Sequence, residues 1–193
     1  GRNGLGGVNP QDAIKWRPAQ MLWFCESDHI RLEGLRLFNA PYWSVLFYGC
    51  TFVQARGLHI RTSNRNPRIY NGDGLNIDCC RHVTVSDCVI DTSDDSLCLR
   101  ATGNRLRRSP RETAYVTVNN CVLSSREEAF RIGVGDGPIY DCTFANCVIR
   151  DSKRGINFSS TWFPSKGCDF RNIRFNNIVS HTSSSFLRIH RLK

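Results

Sequence analysis

The sequence predicts an all-β chain wound as a parallel β-helix, a solenoid of about six to seven coils. Three observations predict it. A short apolar strand closed by an Asn, Asp or Ser turn recurs along the chain: IRLEGLRLFNAP (30–41), ARGLHIRTSN (55–64), RHVTVSDCVIDT (81–92), AYVTVNNCVLSS (114–125), YDCTFANCVIRD (140–151) and FRNIRFNNIVSH (170–181). A second strand follows most of these phrases, as SVLFYGC, GLNIDCC, SLCLRATG, AFRIGVG, GINFSS and SFLRIH. Helical periodicity is nearly absent. Short, β-branched and aromatic-rich strands bounded by turn formers, recurring once per coil, stack as a solenoid whose loops vary in length. A sandwich or closed barrel shows hairpin turns at shorter, more even spacing.

Taken in order, residues 1–20 are polar and glycine-rich and read as an irregular segment, with Trp16-Arg17-Pro18 leading into a first strand, MLWFCES. The coils follow, and 193 residues fit one domain, 1–193, with a sizeable core. Bare solenoid ends expose strand edges, so further coils or caps are expected to be missing. An arginine-rich insertion, GNRLRRSPRET (103–113), interrupts the repeat and is a candidate rim for a cleft that attracts an anionic chain. Cys88, Cys121 and Cys147, three of ten cysteines, recur at one position of the repeat inside apolar strands. That pattern predicts stacked buried thiols acting as small hydrophobes. No CxxC pair or His/Cys cluster has zinc spacing, so no metal is expected.

A formal charge of +9 points to an anionic partner: acidic polysaccharide, nucleic acid or membrane surface. No apolar run approaches the length of a membrane span, and no membrane partner is expected. The aromatics are not interleaved with the basic residues as in a recognition module, which argues against nucleic acid. No hydrophobic signal segment opens the sequence, so secretion is not legible directly.

The chemistry-bearing stretch is 70–103. Asp73 precedes the strand Leu75-Asn76-Ile77, and Asp94-Asp95 precede Leu97-Cys98-Leu99, 21 residues further on. One coil of separation predicts that Asp73 lies beside Asp94 and Asp95, with adjacent strands roughly 4.8 Å apart. Crowded carboxylates are costly and mark chemistry: repulsion raises one pKa and keeps that group protonated. A protonated carboxyl beside an ionised one is what glycoside hydrolysis requires. The competing reading makes Asn71, Asp73, Asp94 and Asp95 turn formers bonded to local backbone.

Alternation predicts the rest of the face. With Leu75, Ile77, Leu97, Leu99, Phe130, Ile132, Ile156, Phe158, Leu187 and Ile189 inward, the outward row reads Asn76/Asp78, Cys98/Arg100, Arg131/Gly133, Asn157/Ser159 and Arg188/His190. Just before these strands come Tyr42-Trp43, Asp73, Asp94-Asp95, Glu127-Glu128 and Lys153-Arg154. A line of acids flanked by cations, with aromatics at one end, suits a long anionic sugar polymer. Trp43, Trp162 and Tyr42 are candidates for stacking on sugar rings.

These residues resemble glycoside hydrolase family 28, the polygalacturonases and their relatives. Its Asn-Thr-Asp signature is similar to Asn71-Gly72-Asp73, and its Gly/Gln-Asp-Asp signature to Ser93-Asp94-Asp95; the likeness runs from about Arg17 to His181. The resemblance implies a right-handed parallel β-helix that hydrolyses pectin with inversion, without metal or organic cofactor. It implies Asp94 as general acid, and Asp73 with Asp95 holding and activating the water. Where the family has Gly-His-Gly, this chain has Glu127-Glu128-Ala129; where it has Arg-Ile-Lys, Asn157-Phe158-Ser159. The cations that hold a galacturonate carboxylate are therefore missing there, and Arg100, Arg131 or Arg154 are the neighbouring-rung substitutes. Glu128 stands where it would replace the histidine beside the acid. With Asn71, Tyr42, Trp43 and Asn157, these complete the expected substrate-binding set. The resemblance also implies a secreted or periplasmic protein, expected to be a monomer. Two rivals remain: a polysaccharide lyase using calcium held by the acidic turns, and a non-catalytic carbohydrate-binding or adhesin-like solenoid.

Overall fold

The structure, a computed structural model, describes residues 20–62, 71–103, 105–159 and 167–190. Trp162 and the segment 1–19 lie outside them. Its strands are β1 (Leu22–Cys25), β2 (Asp28–Glu33), β3 (Arg36–Phe38), β4 (Val45–Tyr48), β5 (Thr51–Arg56), β6 (His59–Arg61), β7 (Leu75–Asp78), β8 (Arg81–Ser86), β9 (Val89–Thr92) and β10 (Leu97–Ala101). They continue as β11 (Thr113–Asn119), β12 (Val122–Ser125), β13 (Glu128–Gly135), β14 (Pro138–Ser159) and β15 (Asp169–His190). Every pairing is parallel. The chain is a parallel β-helix.

Three faces wind around one core. The first runs β1-β4-β7-β10-β13 and on through the ends of β14 and β15. The second runs β2-β5-β8-β11 into the starts of β14 and β15, and the third joins β3, β6, β9 and β12 to their middles. Both long strands are single coils whose corners keep extended pairing. Inside, Phe47, Leu75, Ile77, Leu97, Leu99, Phe130 and Ile132 of the first face meet Val83, Val116 and Phe144 of the second and Ile60, Ile90 and Leu123 of the third. Stacking identical or similar apolar side chains coil on coil removes nearly all their surface from water, at about 25 cal/mol per Å². The predicted inward rows are found, with one difference: on the last described coil Leu187 and Ile189 keep the inward register of Ile156 and Phe158 but stand half exposed.

The turns explain the recurrent Asn, Asp and Gly. One corner carries Gly34, Gly57, Asp87, Asn120, Asn146 and Asn177, each with φ between 50° and 66°. That left-handed conformation is open to Gly and tolerated by Asn and Asp. Asn177 donates to Asn146 Oδ1 at 2.8 Å, and Asn146 to Asn119 Oδ1 at 2.9 Å, so amides also bridge coils. A second left-handed column opens the second face, where His29, Phe52, His82 and Tyr115 stack ring on ring at 4.9–5.0 Å. Stacked rings offset part of the strain of that backbone. The cysteines behave as the repeat predicts. Val122 pairs with both Val89 and Val148, which brings Cys88, Cys121 and Cys147 to one buried column of thiols.

The insertion does not rim the cleft described below. Its backbone amides at Arg107, Arg108 and Ser109 converge on Glu26 Oε1, and the Arg105 amide donates to the Tyr48 hydroxyl at 3.0 Å. It is pinned to the corner after β1 and β4, and none of its described residues lines that cleft.

At Gly74 two coils approach closely beside the acidic turns. Its amide donates to the Asp95 carbonyl at 2.9 Å, and a Cβ placed there would meet the Ser96 carbonyl oxygen at 2.4 Å. Backbone cannot swing aside as a side chain can. Gly74→Ala is therefore expected to destabilise by about 1–3 kcal/mol, read as an earlier midpoint in urea unfolding.

Candidate active site

Register assembles the site. Val45 pairs with Leu75, Leu75 with Leu97, Leu97 with Phe130 and Phe130 with Ile156. Two residues before each stand Trp43, Asp73, Asp95, Glu128 and Arg154, one row across five coils. The spacing of 21 residues places Asp73 beside Asp94 and Asp95; the ladder offset is 22, so Asp95 is the one directly across. Asp94 sits beside the row and keeps partial access to solvent, whereas Asp73, Asp95 and Glu128 are buried. The next outward row along the strands is Asn76, Cys98, Arg131, Asn157 and Arg188.

The first row, with Asp94 and with Arg131, Asn157 and Arg188 of the second, lines one open cleft of about 870 Å³. It brings together the expected catalytic and substrate-binding set: Tyr42, Trp43, Asn71, Asp73, Asp94, Asp95, Arg100, Glu128, Arg131, Arg154 and Asn157. It adds Glu127, Ser159, Arg188 and His190, which alternation puts on this face without saying that they border the acids. Asp78, outward by the same alternation, does not line it; buried, it accepts from the amide and hydroxyl of Thr102.

Each acid has a different partner set. Asp73 accepts from Asn76 Nδ2 at 3.2 Å and faces Arg100 at 3.8 Å. Arg100 is itself held by Asn76 Oδ1 at 2.9 Å and lies over the Trp43 ring, 4.3 Å from its centre. Asp94 takes a long bond from Asn71 Nδ2, 3.4 Å, and accepts from the Asp95 amide at 3.0 Å. Arg131 Nη1 stands between Asp95 at 3.9 Å and Glu128 at 3.8 Å. Glu128 also receives Arg154 at 2.7 Å and Asn157 Nδ2 at 2.8 Å, while Glu127 is paired with Lys153 and Arg154.

Burial is the main force on the acids. It pushes the Asp73 carboxyl up to about 7, with the Asp94 charge adding and Arg100 opposing. Asp95 is raised by burial and by the charges of Asp94 and Asp73, and Asp94 by burial and the charges of Glu127 and Glu128. Burial also pushes Glu128 up, but the hydrogen bond from Asp95, with Arg131 and Arg154, outweighs it and holds Glu128 below its usual range. The two neighbouring carboxyls are thus pushed in opposite directions, Asp95 toward its neutral form and Glu128 toward its charged one. The carboxylate oxygens of Asp94, Asp95 and Glu128 approach within 4.8 Å of one another, the set that would hold a hard cation if one bound.

Comparison with known proteins identifies the family and the fold. The profile of glycosyl hydrolases family 28 matches residues 9–108, more than half of the chain and both acidic turns. The chain belongs to glycosyl hydrolase family 28. This family 28 chain is 26% identical to polygalacturonase-2 of Solanum lycopersicum over 161 residues, covering 72% of its own length and 34% of that protein's. It is 28% identical to a probable polygalacturonase of Arabidopsis thaliana over 103 residues, 51% of its length and 22% of that protein's. It thus spans about a third or less of these relatives. Among solved structures, an endo-xylogalacturonan hydrolase from Aspergillus tubingensis superposes with TM-score 0.72 at 19% identity, over 88% of this chain and 45% of that one. A family 28 exopolygalacturonase from Yersinia enterocolitica does so with TM-score 0.65 at 18% identity, over 92% and 37%. Both share the fold.

A carboxyl with a raised folded-state pKa binds its proton more tightly folded than unfolded. Between about pH 4, where the unfolded group ionises, and about pH 7, where Asp73 does, stability is lost as pH rises. Asp73→Asn is therefore expected to raise thermal stability at pH 8 by roughly 2 kcal/mol and to change it little at pH 3.5. Melting curves of both proteins at the two pH values check this.

Proposed function

We propose that this family 28 chain carries the cleavage site of an inverting glycoside hydrolase acting on an acidic, pectin-like polysaccharide. The observation that supports it most is that Asp73, Asp94 and Asp95 open on one cleft, on adjacent coils, with every one of their carboxyls biased toward the protonated form. Asp94, the most accessible, donates its proton to the leaving glycosidic oxygen as the bond from that oxygen to the anomeric carbon breaks. Water attacks the anomeric carbon from the opposite face, and its proton passes to Asp73, with Asp95 as the second carboxyl holding that water. Asp94 leaves the step ionised and Asp73 protonated; exchange with solvent restores both. Glu128 takes part by keeping the Asp95 proton in place, and Arg131 and Arg154 neutralise the charge the pair retains. Tyr42 and Trp43, stacked on each other at 5.0 Å, end the cleft as a platform for a sugar ring. A pectin-like substrate lies outside the cytoplasm, and we read the protein as acting there, as a single chain.

Reducing-end release from acidic and neutral polysaccharides tests the reading. Wild type is expected to release ends from an acidic polymer, and Asp94→Asn to lower the rate at least 100-fold, the worth of a general acid. Chelator is expected to leave the rate unchanged. Unsaturated sugar ends that disappear with chelator would assign the cleft to elimination instead. A folded protein that binds polymer without cleaving it would make it a binding solenoid.

Asp73 must be ionised to take the proton. Activity is therefore expected to fall as pH drops through about 7. Asp73→Asn should abolish activity at every pH, which a pH–rate profile of both proteins would show.

A further inference from the structure

The second face carries a pattern that neither the cleft nor the core requires. Near the start of each pass across it one residue sits in left-handed backbone, and register aligns these residues over six coils: His29, Phe52, His82, Tyr115, Asp141 and Asn172, with φ between 50° and 57°. Asp141 and Asn172 are residue types that this conformation tolerates, and they show that the coil closes without a ring there. The four ring-bearing residues are strained in the same position. Strain kept through four successive coils is a sign of use.

The rings stack with centres 4.9–5.0 Å apart and planes 8–16° from parallel. Carbon atoms in contact lie roughly 3.5–4.0 Å apart, so the rings are slipped and each shows part of its face along the stripe. Phe52 is 51% exposed and Tyr115 38%. Phe52, His82 and Tyr115 have a coil on either side, so their exposure is not that of a solenoid end. Two residues further along the strands, Arg31, Gln54, Thr84 and Thr117 point to the same side of the sheet. The two rows wall a groove of about 620 Å³, and a hollow of about 350 Å³ adjoins it at Arg31, Gln54 and Thr84. None of the described residues lines both this groove and the acidic cleft.

The chemistry of the groove narrows its ligand. Arg31 is the one Arg, Lys, Asp or Glu among the described lining residues, and it is bonded to Glu33 at 2.7 Å. Gln54 and Thr117 have no side-chain hydrogen bond among the described residues. Each coil offers one ring and one polar side chain, repeated at roughly 4.8 Å. A pyranose unit has about that length, an apolar C–H flank and an edge of hydroxyls. An extended peptide advances roughly 3.3 Å per residue and falls out of step, and a nucleic acid needs uncommitted cations. We propose that the second face binds an uncharged, extended polysaccharide along the solenoid axis, its C–H flanks on the ring row and its hydroxyls bonded to Gln54, Thr84 and Thr117. This goes beyond the cleavage reading and does not depend on it.

The test is calorimetric titration of the full chain with cellohexaose and with mannohexaose, both uncharged and extended. Wild type is expected to bind at least one of them. Phe52→Asn removes a ring but suits the left-handed backbone, so it is expected to weaken binding about tenfold without lowering the melting temperature. Thr117→Val is expected to weaken it about fivefold, and Trp43→Ala, in the cleft, to leave it unchanged. Binding of neither sugar overturns the proposal. Binding that survives both Phe52→Asn and Thr117→Val overturns it too, and a lower melting temperature for Phe52→Asn would then make the rings staples between coils. Binding lost with Trp43→Ala and kept by Phe52→Asn puts the sugar in the cleft and overturns it as well.

Discussion

The parallel backbone ladder between coils is the constraint on which the rest depends. Gly74 N–H to Asp95 C=O and Leu75 N–H to Ser96 C=O lock two acidic turns one strand spacing apart. Carboxylates left to themselves would separate. Here main-chain hydrogen bonds and a continuous apolar core, Leu75 on Leu97 on Phe130, hold them against their repulsion. The cost appears in the protonation of the acids rather than in the shape of the coil. Asp73, Asp94 and Asp95 all move toward the neutral form, and Glu128 keeps its charge with two arginines and a hydrogen bond from Asp95. Such local instability is what a site for proton transfer requires.

Glu128 beside Asp95 sets the electrostatics of the row. An imidazole beside Asp95 would be neutral or positive, whereas Glu128 is an acid that Asp95 can protonate. The chain answers with arginines: Arg131 from the next outward row and Arg154 from the next coil. Glu128, Arg131 and Arg154 thus form one unit, and removing any one leaves a buried charge or donor without its counterpart.

Much of this was legible in the sequence, and the limits have physical causes. Alternation alone predicted which residues of GLNID, SLCLR, AFRIG and GINFS face in and out, because period two leaves no choice once the core side is known. It also put Trp43, Asp73, Asp94-Asp95, Glu128 and Arg154 on one edge. Register was the first limit. Counting from turn to turn brings both Asp94 and Asp95 beside Asp73 without saying which stands in register; the ladder sets Asp95 there. The second limit was side-chain commitment. Arg100, Arg131 and Arg154 are long enough to reach outward to a ligand or sideways to an acid, and only coordinates show them turned sideways. The third was the insertion at 103–113, whose arginines suggest a rim; its amides instead close on Glu26, a pairing with no local trace because over 80 residues separate the partners.

Coil stacking gives the groove the character of a ruler. Each coil advances a side chain along the groove by one strand spacing, roughly 4.8 Å, and no intermediate setting exists. A substitution at the Trp43, Asp73, Asp95, Glu128, Arg154 row or the row beside it therefore relocates a chemical group in whole graduations. Specificity in such a scaffold can diversify by exchanging marks on the scale while the acids keep their place on it. Divergence in this lineage would then be read as a change of position along an axis, which a comparison of aligned residue identities alone would score simply as loss.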